Sequence, residues 1–406
     1  MTRIHGLDLA RALAIIGMMA AHIGPEHPVT DGYPSVLFAV LAGVSMGIIS
    51  RGVADGAGDL LRIRFRLILR GVILVGLGVT LAALQSGILV VLTAIGVSYL
   101  LLTAVITWST RRLGVLLGVL VVTGPLLVAA ENVFTLTWGD ELLPDLLVGA
   151  YPLLAWLAYT LVGLLIHRVV VRPAPAPTAA PTAAPAAAGV VRPVWLTAIG
   201  LALLGATQVI MELTGFRVGP NDILNEAGAY LQGEPHTGGL LDVIGSAGAA
   251  MAVIGSCLLV CRAAAVVWVS YPLRAMGSMS LSMYVVHVVI TTIANGTFVS
   301  VYNIYSGQPQ PYLPKGDFGW SMYTPLSDSP GFPGLGNPDA PVFDDPGMGD
   351  PDWLWVFAAQ LIGLLIFASL WRWRFRRGPL EWGVHRVIEG AVGPASDAPI
   401  RSSERD

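Results

Sequence analysis

Ten apolar runs of about 17–23 residues constrain this chain more than any other feature. They lie near 7–24, 33–50, 67–84, 88–107, 113–130, 149–170, 194–213, 241–261, 275–297 and 353–371. As a helix, each is long enough to cross a hydrocarbon core of about 30 Å while bonding its own backbone groups internally. Composition agrees: 54% of residues are hydrophobic and only 12% charged, with a mean hydropathy of +0.70, outside the usual soluble range. The sequence predicts an all-α, multi-pass protein of the cell membrane with about ten transmembrane helices.

Charge orients these runs. With a cytoplasmic N-terminus, the inner loops hold Arg51, Arg62, Arg64, Arg66, Arg111, Arg112, Arg168, Arg172, Arg192, Arg262 and Arg274, and the tail adds Arg372, Arg374, Arg376 and Arg377. The outer loops hold only Arg217 and Lys315, as the positive-inside rule requires. Both termini are then cytoplasmic. The net charge of −3 hides this polarity and is no argument about nucleic acid, which is not an expected partner.

Residues 1–171 carry the first six helices. Residues 172–193 form a cytoplasmic Pro/Ala linker expected to be extended and semi-rigid. Residues 194–371 hold the last four helices with a long outside loop at 298–352, and 372–406 form a cytoplasmic tail. The unequal halves and absence of an obvious repeat argue against a transporter built from two matched repeats. The first run has the length of a signal-peptide core, but Asp8 and the lack of a small-x-small site speak against cleavage. Cys257 and Cys261 read as packing residues; no metal site is expected.

The first helix carries a polar stripe. His22 lies eleven positions after Arg11, roughly 20° away around the helix and about 16 Å along it, and Asp8 joins the same face. Ionisable residues inside a membrane segment are functional candidates by default. In the ninth run, Gly277, Ser280, Tyr284 and His287 follow a spacing that places them on one helical face. Both imidazoles then fall in the outer half of the membrane. The arginines Arg11, Arg62, Arg64, Arg66 and Arg70 gather near the inner surface, as the positive-inside rule alone would place them. His5 and His236 read as surface residues, and His167 and His385 lie among inner arginines.

Outside, residues 131–148 carry Glu131, Trp138, Asp140, Glu141 and Asp145, and residues 214–240 carry Asp222, Asn225, Glu226, Glu234 and His236. The longest loop intersperses Tyr302, Tyr305, Tyr312, Trp320 and Tyr323 among Gly, Pro and Asp. Aromatic faces among acidic groups suit a sugar, particularly one with a protonated amine.

GLDLARALAIIGMM resembles the opening of the heparan-α-glucosaminide N-acetyltransferase family and its bacterial relatives. The Arg11-to-His22 spacing is similar to that of bacterial membrane acyltransferases that O-acetylate polysaccharides. ILVVLTAIGVSYLLL (88–102) and SMYVVHVV (282–289) resemble later motifs of the family, and RRGPLEWGVHRVI (376–388) is similar to the tail of related bacterial membrane proteins. The resemblance implies transfer of an acetyl or other acyl group from cytoplasmic acetyl-CoA, as cosubstrate, to an extracytoplasmic sugar, glycan or glycolipid. It implies His22 and His287 as catalytic residues, with the loop residue His27 as the alternative to His22. Asp8, Arg11, Arg66, Arg70 and Tyr284 are the implied donor-binding residues. The implied partners are acyl-CoA, the acceptor and membrane lipids, with a homodimer allowed. Two rival readings stand beside it: a transporter or flippase for a lipid-linked or small polar substrate, and a non-catalytic partner in an envelope assembly.

Overall fold

The computed structural model of the chain describes residues 3–24, 27–54, 59–84, 88–138, 142–171, 185–214, 226–306 and 351–393. Among these residues all regular structure is helical. The helices are α1 (His5–Ile23), α2 (Tyr33–Ala54), α3 (Leu60–Ala82), α4 (Leu92–Leu102), α5 (Thr110–Trp138), α6 (Asp145–Val148), α7 (Leu153–Ile166) and α8 (Pro185–Thr214). They continue with α9 (Glu226–Leu231), α10 (Leu240–Val260), α11 (Ala264–Val269), α12 (Tyr271–Gly277), α13 (Ser280–Ser306), α14 (Pro351–Arg374) and α15 (Pro379–Val392). A π-helical turn, His167–Val171, prolongs α7. Most of the Pro/Ala segment and most of the long outer loop lie outside the described residues. So do Asp140, Glu141, Asp222, Asn225, Tyr312, Trp320, Tyr323 and the side chains of Tyr302 and Tyr305.

Eight of these helices are long and apolar enough to cross a membrane: α1, α2, α3, α5, α7 with its π-turn, α8, α10 and α14. The α12–α13 pair makes a ninth span bent by 84°, and the one apolar run left, the fourth along the chain, is the short α4. At about 1.5 Å per residue, α4 extends only about 16 Å. It lies buried against α3 and α7. The protein is an all-α, polytopic membrane protein.

Backbone-to-backbone crossings hold the bundle together. Lipid tails are as apolar as leucine, so helices in a membrane gain most from close packing at small residues. A β-carbon on Gly43 of α2 would overlap the Thr160 carbonyl of α7, and one on Gly163 would overlap the Val40 carbonyl in return. Gly200 and Gly248 make the same reciprocal approach between α8 and α10, as do Gly71 and Gly96 between α3 and α4. At the centre lies α1, with Ala10, Ala12, Ala14, Ile15 and Met19 wholly buried. It touches α2, α10, α12, α13 and α14. Val115, Trp195, Leu213 and Ile362 point outward from α5, α8 and α14, as lipid-facing positions should.

The structure departs from the sequence reading in three places. The ninth run is not one continuous helix, so Gly277 does not share a helical face with Ser280, Tyr284 and His287. The Pro/Ala segment is helical from Pro185, because its last part is alanine-rich and alanine is the best helix former. The tail is more than a charged end: α15 packs against α3 and α13, with Val384 and Ile388 buried one turn apart. The cysteines are free thiols, Cys257 buried and Cys261 half-buried.

Candidate functional site

The break in the ninth span brings the polar residues together. Where α12 ends, Gly277 lies directly on the backbone of α1 at Asp8 and Ala12. After the turn at Ser278 and Met279, α13 starts with backbone N–H groups that have no helical partner. Glu381 of α15 takes them: its carboxylate accepts from Leu281 N at 2.8 Å, from Ser282 N at 3.2 Å and from the Ser282 hydroxyl. In return Leu380 N donates to Ser282 Oγ at 3.0 Å. The tail helix therefore fixes where α13 begins. Glu381→Ala is expected to lower stability by about 1–3 kcal/mol and to expose the tail to protease. Thermal unfolding and limited proteolysis read both effects; unchanged cleavage would show that the cap does not hold the tail.

From there α13 carries His287 to α1. His22 Nδ1 and His287 Nε2 stand 3.0 Å apart, with the rings nearly parallel, 5° between planes and centroids 5.3 Å apart. His287 is wholly buried and His22 half-buried. A third residue sets the direction of this pair. Gln360 of α14 donates its amide Nε2 to the His287 carbonyl at 3.3 Å, which turns Oε1 toward His287 Nδ1 at 3.1 Å. The amide oxygen can only accept, so Nδ1 of His287 carries the hydrogen. In the neutral ring Nε2 is then an acceptor, and His22 Nδ1 donates to it. His22 Nε2 is left as the lone pair of the assembly. Thr291 Oγ1, 3.3 Å from His287 Nδ1, shares that hydrogen.

Three spaces lie along this axis. At the Arg11 end is a cavity of about 220 Å³ whose polar lining includes Arg11, Arg70, Tyr99, Ser45 and Glu381. Around His22 is a chamber of about 30 Å³, lined also by His236, Tyr151, Tyr284, Ser35 and Thr30. Beyond it a groove of about 780 Å³ runs past His27, Asp31, Tyr33, Gln208 and Glu234. Phe38 lines the first space and Tyr284 the second, and their rings stack at 5.9 Å. This aromatic pair is the partition between cavity and chamber. The buried Tyr284 hydroxyl, which faces the Val91 backbone, completes no hydrogen bond of ordinary geometry among the described residues.

The sequence candidates separate accordingly. Asp8 is buried and paired with Arg11 at 3.2 Å and Arg3 at 2.6 Å. Arg11 also donates to Ser45 Oγ at 2.9 Å. Arg70 lies over the Tyr99 ring, 5.9 Å from its centroid, and its buried Nε has no partner among the described residues. Arg66 bonds the Gly393 carbonyl at 2.8 Å. Arg62 pairs with Asp59 at 3.7 Å, and Arg64 reaches the Ala104 carbonyl at 3.4 Å. Of the five arginines, Arg11 and Arg70 line the cavity. Tyr284 belongs to the chamber side of the partition, apart from these cations. His27 is exposed in the outer groove, and its Nδ1 accepts from Val29 N at 3.2 Å.

The structure adds Gln360 and Glu381, and it turns His236, which the sequence reads as a surface residue, toward the chamber. A lone glutamine in the apolar run AAQLIGLL was a legible signal. Glu381 sat inside a quoted motif without a role. His236 had no signal, since nothing local tells a loop histidine that faces inward from one that faces water. No protein-family model matches the chain, and no curated protein is significantly similar to it.

Proposed function

We propose that this protein is a membrane acyltransferase. It takes an acyl group from acyl-CoA at the Arg11 end and passes it to a hydroxyl or amine of an extracytoplasmic sugar, glycan or glycolipid at the His22 end. The observation that carries this reading is the directed pair His22–His287. His22 itself lines a small chamber, with a cation-lined cavity toward Arg11 and an open groove beside it. The arginine asymmetry of the sequence puts the Arg11 end in the cytoplasm, and the resemblance of GLDLARALAIIGMM supplies the same cargo. A cavity of about 220 Å³ is below the range of sites that enclose a whole drug-sized ligand. It suits the thin thioester arm, with Arg11 and Arg70 at its phosphate side, while the nucleotide stays at the surface. The chamber favours acetyl over a long chain.

The chemistry uses one atom. As general base, His22 Nε2 takes the acceptor's proton while the acceptor forms its bond to the thioester carbon and the thiolate leaves. As nucleophile, Nε2 bonds that carbon, the C–S bond breaks, and the Nδ1 proton passes to His287 Nε2. The rival transporter would need a passage for a whole solute past the stacked Phe38 and Tyr284 rings, whereas acyl transfer needs those rings to part only for the narrow thioester end of the donor.

Acetyl-CoA at about 100 times its dissociation constant is expected to stabilise the protein by about 2.7 kcal/mol, and acetyl-labelled donor should label glucosamine or a cell-envelope glycan. A melting temperature indifferent to acetyl-CoA, together with no labelled product, would overturn the reading. A flippase would give that result.

A further inference from the structure

The chamber holds a second imidazole, on the side where an acceptor enters. His236 reaches it from the loop between α9 and α10, with φ +65°, the only non-glycine positive φ among the described residues. Such a conformation is uncommon outside glycine and is kept only where the surroundings enforce it. Here they do. Gly238 N donates to the buried Asp242 carboxylate at 3.1 Å, and Thr237 Oγ1 donates to the Glu234 carbonyl at 2.7 Å. Gly32, itself at φ +73°, lets the α1–α2 loop close onto Pro235 and His236. That loop also supplies Asp31, whose Oδ1 lies 3.8 Å from His236 Nε2. The Tyr151 ring closes the other side at 5.9 Å. Glu234 and Pro235 line the groove and His236 lines the chamber, so the imidazole stands at the doorway between them.

We propose that His236, supported by Asp31, is the catalytic base that takes the acceptor's proton, leaving the His22–His287 pair to handle the acyl group. This rests on the acyltransferase reading. One base suffices for direct transfer; two imidazoles in one small chamber divide the work. In the first half His22 Nε2 bonds the acyl carbon, the C–S bond breaks, the thiolate departs toward the inner cavity, and His287 Nε2 receives the Nδ1 proton. In the second, the acceptor oxygen or nitrogen bonds the acyl carbon while its proton moves to His236. The bond from that carbon to His22 Nε2 breaks with its electron pair returning to the ring, and His287 returns the proton to Nδ1. Burial lowers the His236 pKa below its ordinary value, against a smaller raising effect of Asp31. The ring is therefore neutral and able to accept at neutral pH. The titratable groups around it are Asp31, His22, Tyr151, Tyr284, Asp242 and, on its own loop, Glu234.

The test uses the full chain in nanodiscs, acetyl-labelled acetyl-CoA and glucosamine as acceptor. His236→Asn keeps a residue that tolerates the left-handed backbone and removes the base. Label loading onto the protein should stay within about twofold of the unsubstituted protein, while transfer to glucosamine falls by about 10²-fold or more. Hydroxylamine, which needs no base, should discharge the label at the unsubstituted rate. Asp31→Asn, at an exposed position, should slow transfer and move its acid limb to lower pH, because the carboxylate that raises the His236 pKa is gone. Equal losses of loading and transfer, undiminished transfer, slowed hydroxylamine discharge or an unmoved acid limb would each overturn the role of His236. Acetylated glucosamine with no labelled protein intermediate would overturn it too. An unsubstituted protein that neither loads nor transfers overturns the acyltransferase reading instead.

Discussion

His22→Ala is expected to reduce acetyl transfer by about 10³-fold and His287→Ala by about 10²-fold, and the double variant should be no slower than His22→Ala alone. The inequality follows from the direction of the pair. In the proposed transfer His22 Nε2 is the lone pair that meets the acyl carbon or the proton, so its removal takes away the chemistry itself. His287 acts through the other ring nitrogen: it accepts the Nδ1 hydrogen across 3.0 Å and so keeps Nε2 bare. Holding a catalytic imidazole in the wrong tautomer costs about 10⁴-fold in hydrolase triads. His287→Ala only releases the tautomer, hence the smaller loss. Gln360→Leu should give a weaker loss of the same kind, because it frees Nδ1 of His287. Initial rates with acetyl-labelled donor and glucosamine, alongside melting temperatures, decide the matter. Losses that multiply in the double variant would mean that the histidines work independently, and the directed pair would have to be abandoned.

How much of this was legible depends on how local each signal is. The apolar runs were readable because span length is a property of consecutive residues, and all ten became helices, though α4 is short and α12–α13 broken. The Asp8, Arg11 and His22 stripe was readable because helical periodicity is equally local. The structure points all three inward, to Arg3, Ser45 and His287 as partners. The break at Ser278 and Met279 was not readable, since its stabilising partner Glu381 lies about a hundred positions away. Contact between His22 and His287 could not be known for the same reason. The inner arginines carry little information about the site. The positive-inside rule places them near the inner face whatever they do, and only Arg11 and Arg70 reach the cavity. His236 was misjudged because its inward turn is imposed by Gly32, Gly238 and Asp242, three residues whose joint effect exists only in the folded loop pair.

Gly277→Ala is expected to be the most destabilising single-atom addition in the described bundle near the site. A β-carbon there would overlap the Asp8 carbonyl oxygen and come within 2.8 Å of Ala12 N. Those two atoms are the ends of one backbone hydrogen bond inside α1, so neither can rotate aside as a flexible side chain would. Relief requires α12 to move off α1, and α12 is joined to α13 through only Ser278 and Met279. Movement there drags the start of α13 away from Glu381 and opens the cavity that Gly277, Ser278 and Leu281 line. Overpacking costs about 1–3 kcal/mol and occasionally more; an obstacle of backbone that cannot turn aside puts this case at the upper end, a large share of the roughly 5–15 kcal/mol typical of whole domains. The control is Gly118→Ala. Gly118 is exposed and a β-carbon there meets nothing within 4 Å, so helix propensity alone predicts a gain of up to about 1 kcal/mol. Thermal unfolding of both variants in one detergent provides the comparison. An unchanged melting temperature for Gly277→Ala would mean that α12 does not rest on α1. At temperatures where the variant stays folded, acetyl-CoA binding should weaken, because the displaced backbone lines the cavity proposed for the donor and not the histidine chamber.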